Sequence, residues 1–243
     1  MKRKQSARAL RQHLDRSHQL AITITASNFP LTEFSALQAW QRTRLRNSYT
    51  DLLIKQKFRA AGRFFLDELY GGEDFIRRDQ DVDRVYPVMS RLLPADMLQT
   101  LANAMALQVI SIDFDIRMTR RLVSMAIPAS AIDQKLYGDC YRAVGRHRDR
   151  QRQIELILDL GHDLNRIVQR PIVVALIKLM HGPAHAAGFG ALQNFLESGL
   201  KAFKLLGDGT KFIDTIAARE AEFARRLRDA HPDPQNRLTE VMG

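Results

Sequence analysis

The feature that most constrains the fold is the spacing of apolar residues, which recur three and four positions apart along almost the whole chain. Such spacing places one apolar stripe on an α-helix, whereas a half-buried strand would alternate apolar and polar residues. Between residues 32 and 59 the stripe consists of Phe34, Leu37, Trp40, Leu45, Tyr49, Leu52 and Leu53. We therefore predict an all-α protein, a single multi-helix domain of about eight to ten helices in a helical bundle, with more than about 60% helix.

Breaks in this pattern predict how the chain is divided. Residues 22–30, with the sequence ITITASNFP, combine β-branched and turn-forming residues without a helical stripe, and we interpret them as a linker. We expect residues 1–28 to form a basic arm and linker that folding does not require, residues 29–230 an all-helical domain, and residues 231–243 a frayed tail. Inside the domain, the GDGT segment from Gly207 to Thr210 predicts a helix stop followed by a helix cap.

The net charge of +10 is concentrated near the N-terminus. Residues 1–63 contain 13 Lys and Arg against 3 Asp and Glu, which accounts for the whole excess. An uncompensated basic segment can follow a phosphate backbone, although it can also serve only to keep a protein soluble. The candidate polyanion-binding residues are Lys2, Arg3, Lys4, Arg8, Arg11 and Arg16, with further basic residues between Arg42 and Arg59. A second basic run, residues 146–153, we interpret as the solvated start of a helix.

The stretch from Phe64 to Pro87 is dense in aromatic, acidic and arginine residues. Its D-x-D-x-D pattern from Asp79 resembles the start of a calcium loop, but such a loop needs glycine at position six and glutamate at position twelve. Those positions hold Arg84 and Ser90, so we interpret the acids as structural. We expect Phe64, Phe65, Leu69 and Tyr70 to lie mostly in the core, and Asp74, Asp79 and Asp83 to form caps and ion pairs.

The segment HGPAH places His181 and His185 four positions apart, a spacing that can direct two imidazoles to one face of a helix and toward a metal or a haem. The intervening Gly182 and Pro183 favour a helix boundary instead. A tight helix–helix corner is the competing interpretation. The Asp159-x-x-His162 spacing only weakly resembles the Glu-x-x-His motif of di-metal sites in helical bundles.

Several segments together resemble a known family. FFLDELYG, residues 64–71, is similar to the signature of a bacterial family named for its FFLEELY motif, with Asp67 in place of the usual glutamate. The segments RDQDVDRVYPVMSRLLP, PIVVALIKLMHGPA and LQNFLESGLKAF resemble the same family, so that the similarity extends over most of residues 58–220. The resemblance implies a helical, cytoplasmic, bacterial domain and supplies no catalytic residues.

Motifs that are missing from the sequence, together with its single cysteine, argue against several classes of function. The sequence contains neither of the usual phosphate-binding loops, G-x-x-x-x-G-K-[ST] and G-x-G-x-x-G. No serine or cysteine has the flanking residues that are typical of a catalytic nucleophile. The single cysteine, Cys140, allows no intramolecular disulfide and favours a reducing compartment, and we expect a cytoplasmic protein without a membrane partner. We expect a non-enzymatic interaction or regulatory protein without a cofactor, whose partner is another protein or a second copy. The alternatives are nucleic-acid binding through the basic segment, and a metal- or haem-binding sensor that uses His181 or His185.

Overall fold

The computed structural model describes residues 2–69 and 75–241, and the side chains of these residues outside positions 67–78. It is 84% helical, and no strand occurs among the described residues. Twelve α-helices lie in that part of the chain, ten of them with seven or more residues, slightly above the predicted number. The prediction of a single all-α domain is confirmed. None of the helices described is long and apolar enough to cross a membrane.

The helices follow the chain without long insertions. They are α1 (Lys2–Thr25), α2 (Leu31–Ser48), α3 (Thr50–Ile54), α4 (Gln56–Arg63), α5 (Phe75–Leu92), α6 (Ala95–Ser124), α7 (Gln134–Val144), α8 (His147–Ile167), α9 (Pro171–Leu179), α10 (His181–Ala186), α11 (Gly190–Leu206) and α12 (Thr210–Arg228). A π-helix, Phe64–Leu69, follows α4, and short 3₁₀ turns occupy Ala129–Ala131 and Leu238–Glu240.

The 30-residue helix α6 lies at the centre of the fold. At about 1.5 Å per residue it is about 45 Å long, which allows several helices to pack along it. Helices α1, α2, α7 and α8 all contact it, and its buried residues are distributed around its whole circumference. The remaining layer, α11 and α12, packs against α4, α7 and α8.

The N-terminal segment, expected as an arm and linker over residues 1–28, is helical and packs against α6, and whether folding requires it stays a prediction. Helix α1 runs parallel to α6, with Leu10 and Leu14 in a cluster with Leu98 and Met105. Its helical conformation continues to Thr25, so residues 22–25 are not a linker. The buried residues of α1 recur every three or four positions: Ser6, Leu10, Leu14, Ser17, Leu20 and Ile24. Two of the six are serines, which a count of apolar residues alone does not recognise as part of a buried stripe.

The single helix predicted over residues 32–59 is instead three. Tyr49 interrupts it with φ −118° and ψ 14°, and Lys55 interrupts it again with an extended φ −69° and ψ 118°. The interruption at Tyr49 is fixed from a distance by Arg219 of α12, a fully buried arginine that is 1% exposed. Its guanidinium donates to both Asp51 carboxylate oxygens, at 2.7 and 2.9 Å, and to the Ser48 carbonyl at 3.2 Å.

The C-terminal segment, expected to be frayed over residues 231–243, also has residues in contact with the core. Leu238 is buried in the cluster that contains Leu37 and Tyr137. The carbonyl of Thr239 accepts a hydrogen bond of 2.9 Å from Arg219. The domain boundaries at residues 28 and 230 nevertheless stay predictions, because burial alone does not define the unit that folds independently.

The GDGT prediction agrees with the structure. Helix α11 ends at Gly207, whose φ of +64° lies in the left-handed region that glycine adopts without strain. Asp208 then accepts a hydrogen bond of 3.0 Å from the backbone N–H of Thr210, at the start of α12.

Candidate ligand-binding cavity

A cavity of about 260 Å³ lies between α2, α6, α8, α11 and α12. Its walls on α6 include Leu101, Met105, Gln108 and Asp115, so one face of that helix borders it over about 21 Å at 1.5 Å per residue. On α8 the wall runs similarly, from Arg150 to Leu164. The cavity is therefore elongated along these two helices.

Helices α6 and α8 run antiparallel beside the cavity. Near one end, Thr100 donates to Asp163 at 2.9 Å, and near the other end Gln153 donates to Ser111 at 2.7 Å. Residues late in α6 consequently face residues early in α8. This arrangement brings the polar residues of both helices to one end of the cavity and the apolar residues to the other.

The apolar end is formed by α8, α11 and α12. The space between α8 and α12 is close there, because a Cβ on Gly161 would lie 2.6 Å from Cγ2 of Ile213. The apolar lining includes Leu160, Leu164, Leu192, Phe195, Phe203 and Phe212. These side chains offer a ligand dispersion and burial of apolar surface, without fixed directions for hydrogen bonds.

At the polar end, Arg44 of α2 is paired with Glu220 of α12. The two guanidinium nitrogens Nη1 and Nη2 contact the two carboxylate oxygens at 2.5 and 2.9 Å. The Tyr49 hydroxyl donates to the same carboxylate at 2.6 Å. The guanidinium of Arg44 also lies 4.3 Å from the ring centroid of Phe223. Glu220 is thus saturated by its neighbours and holds α2 against α12.

Asp115 of α6 is a second carboxylate at the polar end, and it is buried. It accepts hydrogen bonds from the side-chain amides of Gln38 at 3.1 Å and Gln41 at 3.0 Å, both on α2. Burial raises the pKa of Asp115, while the two amides and the charges of Arg150 and Arg42 act in the opposite direction. The carboxylate is therefore a fixed structural acceptor between α2 and α6.

Arg150 of α8 has the most unusual environment in the cavity wall. Its guanidinium carbon lies 3.5 Å from the ring centroid of Phe114 and 4.9 Å from that of Tyr141. Its Nη1 donates to Gln153 Oε1 at 3.3 Å. Its Nε and Nη2 are buried, and neither has a hydrogen-bond partner in the part of the chain that the structure describes. Burial also raises the pKa of the neighbouring Tyr141 to about 12, so that hydroxyl stays protonated at neutral pH.

The sequence interpretation of residues 146–153 as a solvated helix start missed this arginine. Arg146, His147 and Arg148 are exposed as expected, but Arg150 is turned inward. The signal was present in the spacing, because Arg150, Gln153, Ile157 and Leu160 continue one helical face into the apolar stripe of α8.

The predicted polyanion-binding residues all lie on α1, where half of them are engaged with the rest of the fold. Arg3 donates to the Ser90 carbonyl at 3.1 Å, and Arg16 pairs with Asp113 at 3.2 Å. Arg11 pairs with both Asp15 and Asp83. The exposed residues of the set are Lys2, Arg3, Lys4, Arg8 and Arg16. Polyanion binding stays a prediction, and Lys2, Lys4 and Arg8 are its main support.

The structure brings His181 and His185 together, with ring centroids 4.7 Å apart. His181 Nδ1 lies 2.8 Å from Glu197 Oε1, and His185 Nε2 lies 3.1 Å from Asn194 Oδ1. Both imidazoles lie on α10 and are bonded to α11, so the helix boundary expected between them at Gly182 and Pro183 is not seen. No group of three or more His, Cys, Asp or Glu suited to a metal ion occurs among the described residues. Metal or haem binding by this pair stays a prediction.

Where its side chains are described, the acidic stretch makes contacts within the fold. Asp79 is buried, and it accepts hydrogen bonds from Ser17 of α1 and, at 2.6 Å, from Gln108 of α6. Asp83 forms the predicted ion pair, with Arg11. Phe64 is buried and Phe65 is half-buried. The predictions for Tyr70 and Asp74 lie outside the described residues, and that for Leu69 lies outside the described side chains.

Comparison with known proteins gives one family and no function. No curated protein and no solved structure matches the chain. One family model, Domain of unknown function (DUF8198), matches residues 25–234. It tests neither the FFLEELY resemblance nor a bacterial origin, and both stay predictions. Because the match spans most of the chain, from the end of α1 to beyond α12, this protein belongs to the DUF8198 family.

Proposed function

We propose that the protein is a non-enzymatic, regulatory ligand-binding protein whose cavity takes an elongated and mainly apolar small molecule. The observation that carries this proposal is the cavity of about 260 Å³ along α6 and α8. Its volume equals the share of about nine molecules of liquid water at about 30 Å³ each. Pockets for drug-sized ligands start at about 300 Å³, so this space suits a ligand at or below the small end of that range.

The energetic cost of such a space supports a role in binding. Sealed cavities in apolar cores cost about 24 cal/mol per Å³, which gives an upper bound of about 6 kcal/mol for this partly polar space. That figure is comparable to the whole stability of an ordinary domain. Native interiors are close-packed, and a ligand that fills the space would recover much of this cost.

The carboxylates at the polar end favour binding over acid–base chemistry. Glu220 is held by Arg44 and Tyr49, and Asp115 by two glutamine amides. A general base needs a free acceptor within reach of the proton that it removes. Groups saturated in this way instead fix the shape of the cavity.

The test is a titration with N-phenyl-1-naphthylamine, a neutral apolar dye that fluoresces more strongly in apolar surroundings. We expect a saturable increase in fluorescence at one dye per chain. Ala104→Leu should weaken it, because Ala104 lines the cavity and leucine would fill part of it. Ala221→Leu is the matched control, since Ala221 is exposed on α12. Linear, unsaturable binding, or equal loss in both variants, would refute the proposal.

The interaction part of the function has separate support on α9. This helix exposes Ile172 at 75% and Leu179 at 74%, with Leu176 also exposed, and Met180 is exposed directly after its end. Its only charged residue is Lys178. We infer that a second copy of the chain packs here, because a nearly uncharged apolar face can meet its own copy without opposing like charges.

Light scattering after size exclusion tests this inference. We expect a dimer for the wild-type protein and a monomer for Ile172→Glu. Ile54→Glu is the control, because Ile54 is also exposed, at 68%, but lies on α3. A wild-type monomer at micromolar concentration, or a dimer that both variants retain, would contradict the assignment.

A further inference from the structure

The cavity also specifies the head group of its ligand, an inference that rests on the ligand-binding function proposed above. We propose that Arg150 binds the carboxylate of an amphipathic monocarboxylic acid, whose hydrocarbon part lies in the apolar end of the cavity. The pieces that support this assignment are the geometry of the guanidinium, its surroundings and the charge at the polar end.

The two nitrogens of Arg150 without a partner are Nε and Nη2. These nitrogens form one edge of the guanidinium, and their two N–H bonds point side by side in the plane. That edge matches the two oxygens of a carboxylate, which can accept both hydrogen bonds at once. The third nitrogen, Nη1, is already used by Gln153. The edge without a partner is therefore the one suited to a carboxylate, and because both nitrogens are almost inaccessible in this structure, a neighbouring side chain has to move before a carboxylate reaches them.

The surroundings hold this edge in position. Phe114 and Tyr141 contact the guanidinium, at 3.5 and 4.9 Å from its central carbon to their ring centroids. Phe114 is itself buried, so it cannot move away without opening the core. A guanidinium fixed in this way loses little conformational entropy when it binds an oxyanion. A buried donor without an acceptor destabilises the folded state, and a bound carboxylate would relieve that cost.

The formal charge of the cavity lining is close to zero. Arg42, Arg44 and Arg150 line the cavity, against the three acids Asp79, Asp115 and Glu220. Asp115 lies near enough to Arg150 to interact with its charge, but no ion pair within 4.0 Å joins them. Protonation of Asp115 would leave a positive excess of one unit. A carboxylate brings less uncompensated charge to this lining than a phosphate monoester of charge about −1.5 to −2 would.

Competition among three amphiphiles with the same hydrocarbon chain tests the head group. Decanoate, decanol and decylamine would each be titrated against the bound naphthylamine dye. We expect decanoate to displace the dye at a concentration at least about tenfold lower than decanol does, the ratio that about 1.4 kcal/mol produces. Decylamine should be the weakest competitor, because its charge repeats that of the arginines.

Variants at Arg150 assign the preference to this residue. Arg150→Gln should bring decanoate to the level of decanol, and Arg150→Lys should keep only part of the preference, since lysine retains the charge without the paired donors. Arg148→Gln is the matched control, because Arg148 is exposed on the same helix and should leave the preference intact. Binding of the neutral dye reports whether each variant is folded.

The outcomes separate this inference from the function on which it rests. Saturable dye binding with equal displacement by decanoate and decanol overturns the carboxylate assignment and leaves the ligand-binding function standing. A preference for decanoate that Arg150→Gln retains would place the anion elsewhere and overturn the role of Arg150. Absence of saturable dye binding in the wild-type protein overturns both. If Arg150→Gln does not fold, the decision falls to the wild-type ratio and to Arg150→Lys.

Discussion

Leu14→Ala measures how strongly helix α1 contributes to the core. Leu14 is 0% exposed and packs with Leu10, Leu98 and Met105. The substitution removes three carbon atoms, worth about 2.4 kcal/mol at about 0.8 kcal/mol each. The space left behind adds a cavity cost, so the expected loss is about 3–5 kcal/mol, the usual range for a fully buried leucine.

Urea denaturation followed by circular dichroism supplies the measurement. The midpoint should fall while the slope m stays unchanged, since the surface exposed on unfolding is nearly the same. Ile22→Ala is the control on the same helix, because Ile22 is 70% exposed and should change stability by less than about 0.5 kcal/mol. A loss below about 1 kcal/mol for Leu14→Ala, or equal losses in both variants, would refute the assignment of α1 to the core.

The remaining predictions concern the core around α4, the acid stability and the N-terminal segment. Phe64→Ala should destabilise the protein by about 3–5 kcal/mol in urea denaturation. The loss should exceed that of Phe65→Ala, because Phe64 is buried and Phe65 is only half-buried. A larger loss for Phe65→Ala would contradict this order. The Arg225 guanidinium lowers the pKa of Glu222 to about 2 from its ordinary 4.5, so Glu222 stabilises the folded state above pH 4.5 and this contribution disappears as the pH falls toward 2. Glu222→Gln should therefore flatten the acid limb of a plot of stability against pH, and an unchanged limb would show that the pair contributes nothing. Deletion of residues 2–28 should unfold the protein, as judged by circular dichroism, because it uncovers one face of α6; a folded deletion variant with an unchanged melting temperature would restore the idea of a dispensable arm.

The errors of the sequence interpretation have a common physical origin. Residues 2–25 contain many charged residues, and Ser6 and Ser17 occupy buried positions that an apolar count skips. Ser17 is buried because Asp79 of α5 accepts its hydroxyl proton in a hydrogen bond. Whether a serine faces the core or the solvent depends on a partner that is 62 positions away, and local spacing carries no information about it.

The residues of the candidate cavity were also not predictable from local spacing. Asp115 and Arg150 lie on different helices, and Glu220 lies on a third. Each taken alone is one charged residue on an amphipathic helix, with no motif around it. Their burial together follows only from the antiparallel packing of α6 and α8 and from the position of α12 beside them. The signal that local analysis could have used is the phase of Arg150 with the apolar stripe of α8.

The sequence by itself determined the local structure: helices wherever apolar residues recur three and four apart, and the stop at Gly207, because these depend on backbone geometry and near neighbours. Tertiary structure alone decided the division of residues 32–59, where Arg219 binds Asp51 and the Ser48 carbonyl from 168 or more positions away. It also decided the cavity and the orientation of Arg150 into its wall. A periodic pattern specifies which face of a helix is buried, but the partner against which that face packs is set by contacts between distant segments, and the chemistry of this site arises from those contacts.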